Sequence, residues 1–380
     1  MMEIKNLEKA AQRILEAIKK KERILIYGDS DLDGVCSVII LKETIKNLGG
    51  KIDAVYFPER EVEGYGISEK GLISLKKFSP ALFISLDCGI SNFKEIEIAK
   101  NYGFFVIVID HHQVLDELPK ADIIVDPKQR DDQYPFKDLA TVGIVFKLAE
   151  KMLGEKMTSP LRKNFLELVA LATLADMMPQ VGENKVLTEE GLVYLKNSWR
   201  PAFQVFSKIF ELPKEITKVI SILNVRDVEN NLPASYRILT ESDFRKVEEL
   251  VEKLIKKSKE RKKEVEKILN FIEEKIKRED KIIFEGSKEW NFSVISIVAS
   301  QLCQKYQKPT FIYKIFENES QGTVRVPPGI DSVEWMKKCK ELLISFGGHP
   351  SASGFRIKNE NLEKFKECLI KNYEENNNLC

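Results

Sequence analysis

Three features predict an α/β fold in which a mostly parallel sheet is joined by a long helix to a smaller α/β domain. Short, continuous apolar runs alternate with amphipathic stretches through the first part of the chain. A stretch without Gly or Pro then runs over about 242–279, and a second, shorter set of strand-like and helix-like segments follows it. A chain of 380 residues has room for two or three domains of this kind.

The first runs are RILIY (23–27), DAVYF (53–57), ALFISL (81–86), FFVIVI (104–109) and DIIV (122–125), rich in β-branched and aromatic side chains. Between them lie helical patterns such as 34–48 and 91–103. Unbroken apolar strands alternating with helices imply a parallel sheet covered on both faces. Residues 143–153 and 161–177 then read as helices, with more helix to about 225. Across 242–279, apolar residues recur helically at Val247, Leu250, Val251, Leu254 and Ile255, and again at Val265, Ile268, Leu269 and Ile272. Such a helix would run roughly 55 Å. Its middle, KKSKERKK (256–263), is polar all round, as in a helix bridging two domains through solvent. KIIFEG, SVISIVASQLCQKY, TFIYKIF and GFRIK then outline the second domain. The expected division is 1–225, a connecting segment 226–280, and 281–375. No repeat or low-complexity tract stands out beyond EENNN near the end.

Composition narrows the function classes. With 60 Lys+Arg against 59 Asp+Glu, the chain is no uniformly basic nucleic-acid coat. Cys36, Cys88, Cys303, Cys339, Cys368 and Cys380 are scattered without a CxxC pair, so reduced, mostly buried thiols are expected rather than a disulfide framework or a zinc site. The N-terminus alternates charged and apolar residues like an amphipathic helix and lacks the apolar region of a signal peptide. No stretch approaches the ~20 apolar residues that span a bilayer. A soluble, cytoplasmic protein is expected, with no membrane partner.

Chemistry concentrates where the strand-like runs end. Gly28-Asp29-Ser30-Asp31-Leu32-Asp33-Gly34 follows the first, Asp87-Cys88-Gly89 the third, Asp110-His111-His112 the fourth and Asp126-Pro127 the fifth. Parallel sheets bind ligands outside the carboxyl ends of their strands, so these groups should converge on one site. A lone strand-end Asp is usually a turn or helix cap. Capping needs neither three alternating aspartates nor a His-His pair. Three acids in five residues repel one another unless a cation sits among them. Oxygen donors with imidazole suit Mn²⁺ or Mg²⁺, and so many ligands suggest two metals about 3.5–4 Å apart serving phosphoryl chemistry. An EF-hand is excluded, because an apolar helical stretch without an acid stands where the bidentate acid belongs.

Asp176 ends the apolar helix LVALATLADMMP, where an unpaired acid would be costly and a metal would resolve the cost. His349 lies among small residues in FGGHPSASGF (346–355), a segment that reads as a Gly-rich turn able to offer N–H donors to phosphate. In GTVR (322–325), Thr323 and Arg325 share one face if extended and are placed to hold a phosphate oxygen, although a surface strand explains them equally well.

These residues in this order resemble the DHH phosphoesterase superfamily, named for the motif present here as Asp110-His111-His112, and within it the RecJ-type single-strand-specific exonucleases with DHH and DHHA1 domains. GDSDLDG (28–34), PEREVEGYGI (58–67), LDCGIS (86–91), IDHH (109–112), VDPK (125–128), LATVGIVFKL (139–148), LVALATLADMMP (168–179), the ERKKEVE helix, WNFSVISIVAS (290–300), GTVR and FGGHPSASGF carry the resemblance over about 22–360. It implies that Asp29, Asp31, Asp33, Asp87, His111 and Asp176 hold two Mn²⁺, with Mg²⁺ as the alternative. His112 would lie beside the scissile phosphate as ligand or proton donor, and Asp110 would orient the histidines. Arg60, Thr323, Arg325 and His349 would grip phosphate across an interdomain cleft.

The implied activity is 5′→3′ exonuclease cleavage of single-stranded DNA in repair or recombination by a monomer, with a single-strand-binding protein or a helicase as candidate partners. Alternatives are an oligoribonuclease or other small-substrate phosphoesterase, and a non-catalytic replication scaffold. Pyrophosphatase-type members carry a histidine where this chain has Tyr27. The chain departs from the pattern at Asn224-Val225-Arg226-Asp227, where an Asn-Ala-x-Gly-Arg segment is common, and at Ser293, Ser296 and Val326. It stops soon after FGGHPSASGF, so the OB-fold module of longer members is expected to be absent.

Overall fold

Residues 3–114 and 117–377 are described by a computed structural model, without the side chains of Glu61, His349 and 374–377. The chain forms two compact units, Met1–Lys256 and Lys257–Cys380.

In the first unit α1 (Leu7–Lys20) leads into β1 (Ile24–Gly28), α2 (Leu32–Asn47), β2 (Ala54–Tyr56), α3 (Arg60–Glu63), α4 (Glu69–Leu75), β3 (Ala81–Leu86), α5 (Phe93–Asn101), β4 (Phe104–Ile109) and β5 (Ile123–Val125). The five strands pair in parallel in the order β2-β1-β3-β4-β5. All of β1 and β3 is buried, as their unbroken apolar sequences require. Because side chains alternate across a sheet, each strand feeds two cores. Ile24, Ile26, Leu82, Ile84, Ile107 and Ile109 pack with Ile14 of α1 and Val38 of α2. Leu25, Tyr27, Phe83, Val106 and Val108 pack on the other face with Leu72 of α4 and Ile96 of α5. The strand order reverses direction between β1 and β3, and this switch point opens a crevice at their C-terminal ends.

Helices complete the unit: α6 (Thr141–Leu153), α7 (Ser159–Ala175), α8 (Gly182–Leu195), α9 (Pro201–Ile209) and α10 (Ile216–Leu223). A short ribbon of β6 (Val228–Glu229) and β7 (Leu232–Pro233) precedes α11 (Ala234–Thr240). Every residue of α7 from Asn164 to Thr173 is buried. Its two most polar members are paired: Asn164 accepts from Arg200 at 2.7 Å, and Glu167 accepts from the Ser198 hydroxyl at 2.7 Å. Gly191 lets α8 lie directly on α7, since a Cβ there would sit 2.1 Å from the Leu166 carbonyl oxygen.

The long helix, α12 (Phe244–Glu273), buries Val247, Val251 and Leu254 in the first unit's core. Val265, Ile268 and Ile272 lie in a core of the second unit. It stops at Glu273 rather than near 279: residues 274–275 form a turn, and Asp280 accepts from the Lys277 amide at 2.8 Å. Its polar middle is not wholly in solvent: Ser258 is buried, and Arg261 donates to the Ser293 carbonyl.

The second unit continues with β8 (Ile283–Ser287), α13 (Phe292–Tyr306), β9 (Thr310–Ile315), β10 (Glu319–Arg325), α14 (Ser332–Lys337), β11 (Leu343–His349), β12 (Ala352–Lys358) and α15 (Leu362–Asn377). Its sheet runs β11-β12-β10-β9-β8, with only β8 and β9 parallel. FGGHPSASGF is therefore a hairpin rather than an isolated turn: Gly347 pairs with Gly354 and Gly348 with Ser353. The expectation of reduced cysteines also fails in part. Cys339, after α14, is disulfide-bonded to Cys368 of α15, with Cα atoms 6.2 Å apart. They stand 29 positions apart in the sequence, and packing of α14 against α15, rather than a short motif, brings them together. Cys36, Cys88 and Cys303 are free and buried, and Cys380 lies outside the described residues. No helix among the described residues is long and apolar enough to cross a membrane.

The α7 packing has measurable consequences. Ala is favoured over Gly in a helix by about 1 kcal/mol, but overpacking against a backbone oxygen costs about 1–3 kcal/mol. Gly191→Ala should therefore lower the thermal midpoint; an unchanged or higher Tm would mean that the helices separate freely. Burial, partly offset by the Ser198 hydrogen bond and by Arg200, pushes Glu167 up to about 7 from 4.5. Its folded form holds a proton that the unfolded chain releases, so stability falls as pH rises through that window and stays lowered above it. The cost is at most about 3 kcal/mol. Glu167→Gln should be stabilising above pH 7 and near neutral in effect at pH 4.5, as measured by denaturant unfolding at the two pH values.

Candidate metal centre

The β1 end is built by its glycines and its caps. A Cβ at Gly34 would lie 2.4 Å from the Asp29 carbonyl oxygen, so the last position of D-S-D-L-D-G must be glycine for α2 to start so close. Asp31 is the N-cap of α2, and its Oδ1 accepts from the Asp33 and Gly34 amides at 3.0 and 3.1 Å. Asp33 points across to the N-terminus of α6, where the Thr141 and Val142 amides donate to its two oxygens at 2.8 Å each.

At the β3 end Asp87 adopts a left-handed φ of 62°, a conformation costly for a residue with a Cβ. Its Oδ1 accepts from the Thr141 hydroxyl at 3.0 Å. At the β4 end Asp110 is fully buried and satisfied: it accepts from the His111, His112 and Ile90 amides and from His112 Nδ1 at 2.7 Å. Asp176 caps the C-terminus of α7, and Met177 follows with a φ of 55°.

His111 Nε2 lies 3.4 Å from Asp176, 3.5 Å from Asp87 and 3.9 Å from Asp33. Among the described residues neither of its buried ring nitrogens has a hydrogen-bond partner. Donor atoms of Asp29, Asp31 and Asp87 gather within 4.8 Å, as do those of Asp33, His111 and Asp176, and of Asp87, His111 and His112. Asp87 and His111 each belong to two sets, and Asp87, with two carboxylate oxygens, has the donors that bridging two ions requires.

The electrostatics agree. Burial, reinforced by neighbouring carboxylates, raises Asp29, Asp33 and Asp87 above their ordinary range and Asp176 to about 6. Asp31 is held below its range, because Arg60 and the capping amides outweigh its burial. Burial and the neighbouring His112 lower His111 to about 3, leaving a neutral imidazole. Burial would lower His112 too, but Asp110 outweighs it and raises His112 to about 9. Crowded acids and an unpaired neutral imidazole, all poorly solvated, are what divalent cations would stabilise. The oxygen-rich donor set with one or two imidazoles fits Mn²⁺ or Mg²⁺.

The structure brings Asp29, Asp31, Asp33, Asp87, His111 and Asp176 together, with Asp110 and His112 beside them. Asp126 stays out of the three sets: its Oδ1 accepts from the Lys128 amide at 2.7 Å. Arg60 is paired rather than free. Its Nε donates to Asp29 at 2.8 Å, and its Nη2 reaches Asp29 and, at 2.9 Å, Asp31. In the second unit Thr323 and Arg325 share a face of β10, with Arg325 Nη1 2.9 Å from the Thr323 hydroxyl and Nε 3.1 Å from that of Ser300. The backbone of His349 closes β11, while its side chain lies outside the described residues.

Two neighbours went unread in the sequence. Thr141 serves both Asp33 and Asp87. Tyr65 places its hydroxyl 3.0 Å from His112 Nε2, its ring edge-on to the imidazole. Both lie in segments whose motifs, LATVG and EGYG, marked the neighbourhood without assigning these side chains a role.

Residues 23–173 match the DHH family, N-terminal domain, and residues 279–375 match the DHHA1 domain. The single-stranded-DNA-specific exonuclease RecJ of Bacillus subtilis is 35% identical over 380 residues, covering 97% of this chain and 48% of that protein. RecJ of Thermus thermophilus is 28% identical over 96% of this chain and 54% of its own length. The chain thus spans about half the length of these two relatives. A crystal structure of exonuclease RecJ bound to manganese superimposes with a TM-score of 0.85 at 26% identity, covering 98% of this chain and 95% of that one. The Thermus thermophilus RecJ structure with Mn²⁺ also gives 0.85, at 25% identity, covering 98% of this chain and 55% of that one. The chain thus carries a match to a DHH family N-terminal domain followed by a match to a DHHA1 domain.

Proposed function

We propose that this chain is a metal-dependent 5′→3′ exonuclease that hydrolyses phosphodiester bonds of single-stranded DNA, serving repair or recombination. The observation that carries the reading is the carboxylate–imidazole cluster at the ends of β1, β3 and β4 with the Asp110–His112 pair at its side. The activity of its relatives, single-stranded-DNA-specific exonuclease, supports the choice of substrate. Residues 1–225 would form the catalytic domain, 226–280 the connection and 281–375 the substrate-binding domain.

Asp29, Asp31, Asp33, Asp87, His111 and Asp176 would hold a pair of Mn²⁺ or Mg²⁺ ions. When bound, such ions supply an activated water and neutralise charge developing on the phosphate. His111 is suited to ligation because it is neutral at pH 7. His112 has the opposite character. Protonated at pH 7, it offers an N–H to a phosphate or leaving oxygen, and Asp110 fixes its ring through Nδ1. Thr323 and Arg325, already hydrogen-bonded to each other, present a hydroxyl and a guanidinium to a second phosphate oxygen set. Tyr27 is wholly buried, with its hydroxyl on the Gly66 carbonyl, and supplies no ligand of the pyrophosphatase kind. The proposed partner is single-stranded nucleic acid, DNA before RNA, handed on by a single-strand-binding protein or helicase to a monomeric enzyme.

The test is cleavage of 5′- and 3′-labelled single strands of DNA and RNA. Chelation should abolish activity and Mn²⁺ restore it. Asp87→Ala and His112→Ala should each lose about 100-fold or more in kcat; near-wild-type cleavage by either would sink the reading. Loss of activity on anything longer than a few nucleotides would make it a small-substrate phosphoesterase instead. Arg325→Gln should raise KM for 5′-phosphorylated strands with kcat little changed, since it removes binding shared by ground and transition states. An equal fall in kcat would place Arg325 in the chemical step.

A further inference from the structure

The most telling contact outside the proposed chemistry is the fork of Arg60. Asp31 Oδ1 is committed to capping α2, so Oδ2 is the oxygen it has left for a cation, and Arg60 Nη2 is on it at 2.9 Å. Both oxygens of Asp29 also face the fork, Oδ1 at 2.8 Å from Nε. These two aspartates, with Asp87, are one of the three sets able to hold a divalent ion. One group of oxygens thus serves two cations, and Arg60 and a metal compete for it.

The side chain is placed to leave. Arg60 stands at the start of the four-residue α3, followed by Gly64 and Gly66 with φ of 83° and 88°. Other residues anchor the segment: Tyr56 donates to Glu63 at 2.9 Å, and Tyr27 to the Gly66 carbonyl at 3.2 Å. The guanidinium can therefore turn away without unseating the backbone. The Tyr65 ring, 5.5 Å from the guanidinium carbon, lies beside it. Arginine stays charged at any working pH, so once displaced it favours another anion with paired acceptor oxygens, and two oxygens of a phosphate accept the same two-pronged donation as a carboxylate.

We propose that Arg60 is a latch displaced by metal. It neutralises Asp29 and Asp31 until divalent ions take their oxygens, and the released guanidinium then grips the substrate phosphate, so metal loading precedes and strengthens phosphate binding. This rests on the reading of Arg60 as a phosphate ligand. Linkage makes the coupling reciprocal: bound phosphate, by holding Arg60 away, tightens the metal.

The experiment is Mn²⁺ titration calorimetry on the full chain after chelator stripping, at one pH, for wild type, Arg60→Gln and Arg60→Lys, with folding checked by thermal melts. Removing a forked, charge-assisted competitor should tighten Mn²⁺ binding about tenfold in Arg60→Gln. Arg60→Lys keeps the charge but cannot fork, and should fall between the two; it also carries the test if the glutamine variant does not fold. Equal or weaker Mn²⁺ binding in the variants overturns the latch. Thymidine 5′-monophosphate binding at saturating Mn²⁺ separates the underlying reading. Weaker binding in Arg60→Gln than in wild type supports the grip. Equal binding removes Arg60 as a phosphate ligand, whatever the metal titration gives.

Discussion

Five carboxylates, those of Asp29, Asp31, Asp33, Asp87 and Asp176, crowd together at the end of a sheet, three of them around one buried imidazole, and their mutual repulsion is the constraint that the surrounding structure answers. An ionised carboxylate in a poorly solvated site is expensive unless it is paired or hydrogen-bonded. Four of the acids have their own remedy. Asp33 takes the two amides opening α6, Asp31 caps α2, Asp87 accepts from Thr141, and Asp29 is held by Arg60. Burial still raises Asp33 and Asp87 well above the ordinary aspartate range, so these remedies are partial. The residual cost is the physical case for divalent cations.

The parallel sheet makes such crowding possible. Strand order β2-β1-β3-β4-β5 sets the β1 and β3 ends side by side with β4 next to them, so residues 29, 87 and 110 meet although long stretches of chain separate them. The cores on both faces hold these strands rigidly, and α6 and α7 bring Thr141 and Asp176 to the same edge. Gly34 and Gly191 are where backbones approach so closely that no side chain fits. The two glycines therefore bear on the site through the positions of α2 and α7.

Much of this was legible because it is local. Apolar runs such as 81–86 and 104–109 coincide with β3 and β4, and acids directly after strands could be assigned to a shared edge by a topological rule. The rule over-reached at Asp126. It follows the short β5, which pairs only with β4 at the sheet's end, one strand further from the switch point. What stayed hidden depends on contacts between distant segments. The hairpin around His349 looked like a turn because glycines rarely announce a strand. The Cys339–Cys368 bond needs the α14–α15 packing. The grasp of Arg60 on Asp29 and Asp31, and of Tyr65 on His112, joins parts of the chain that no periodicity connects.

The adjacent histidines show how far environment outruns sequence. His111 and His112 share a strand end, and their rings lie 4.5 Å apart, yet burial with a cationic neighbour drives one to about 3 while a buried carboxylate lifts the other to about 9. Each helps set the other: the proton on His112 discourages a second on His111. That leaves His111 neutral, with its Nε2 on the side where Asp33, Asp87 and Asp176 gather. Asp110, which accepts from both backbone amides and from only one ring, is the residue that breaks the symmetry. A pair of identical side chains thus becomes one neutral imidazole and one cationic N–H donor, and the division rests on a single buried aspartate.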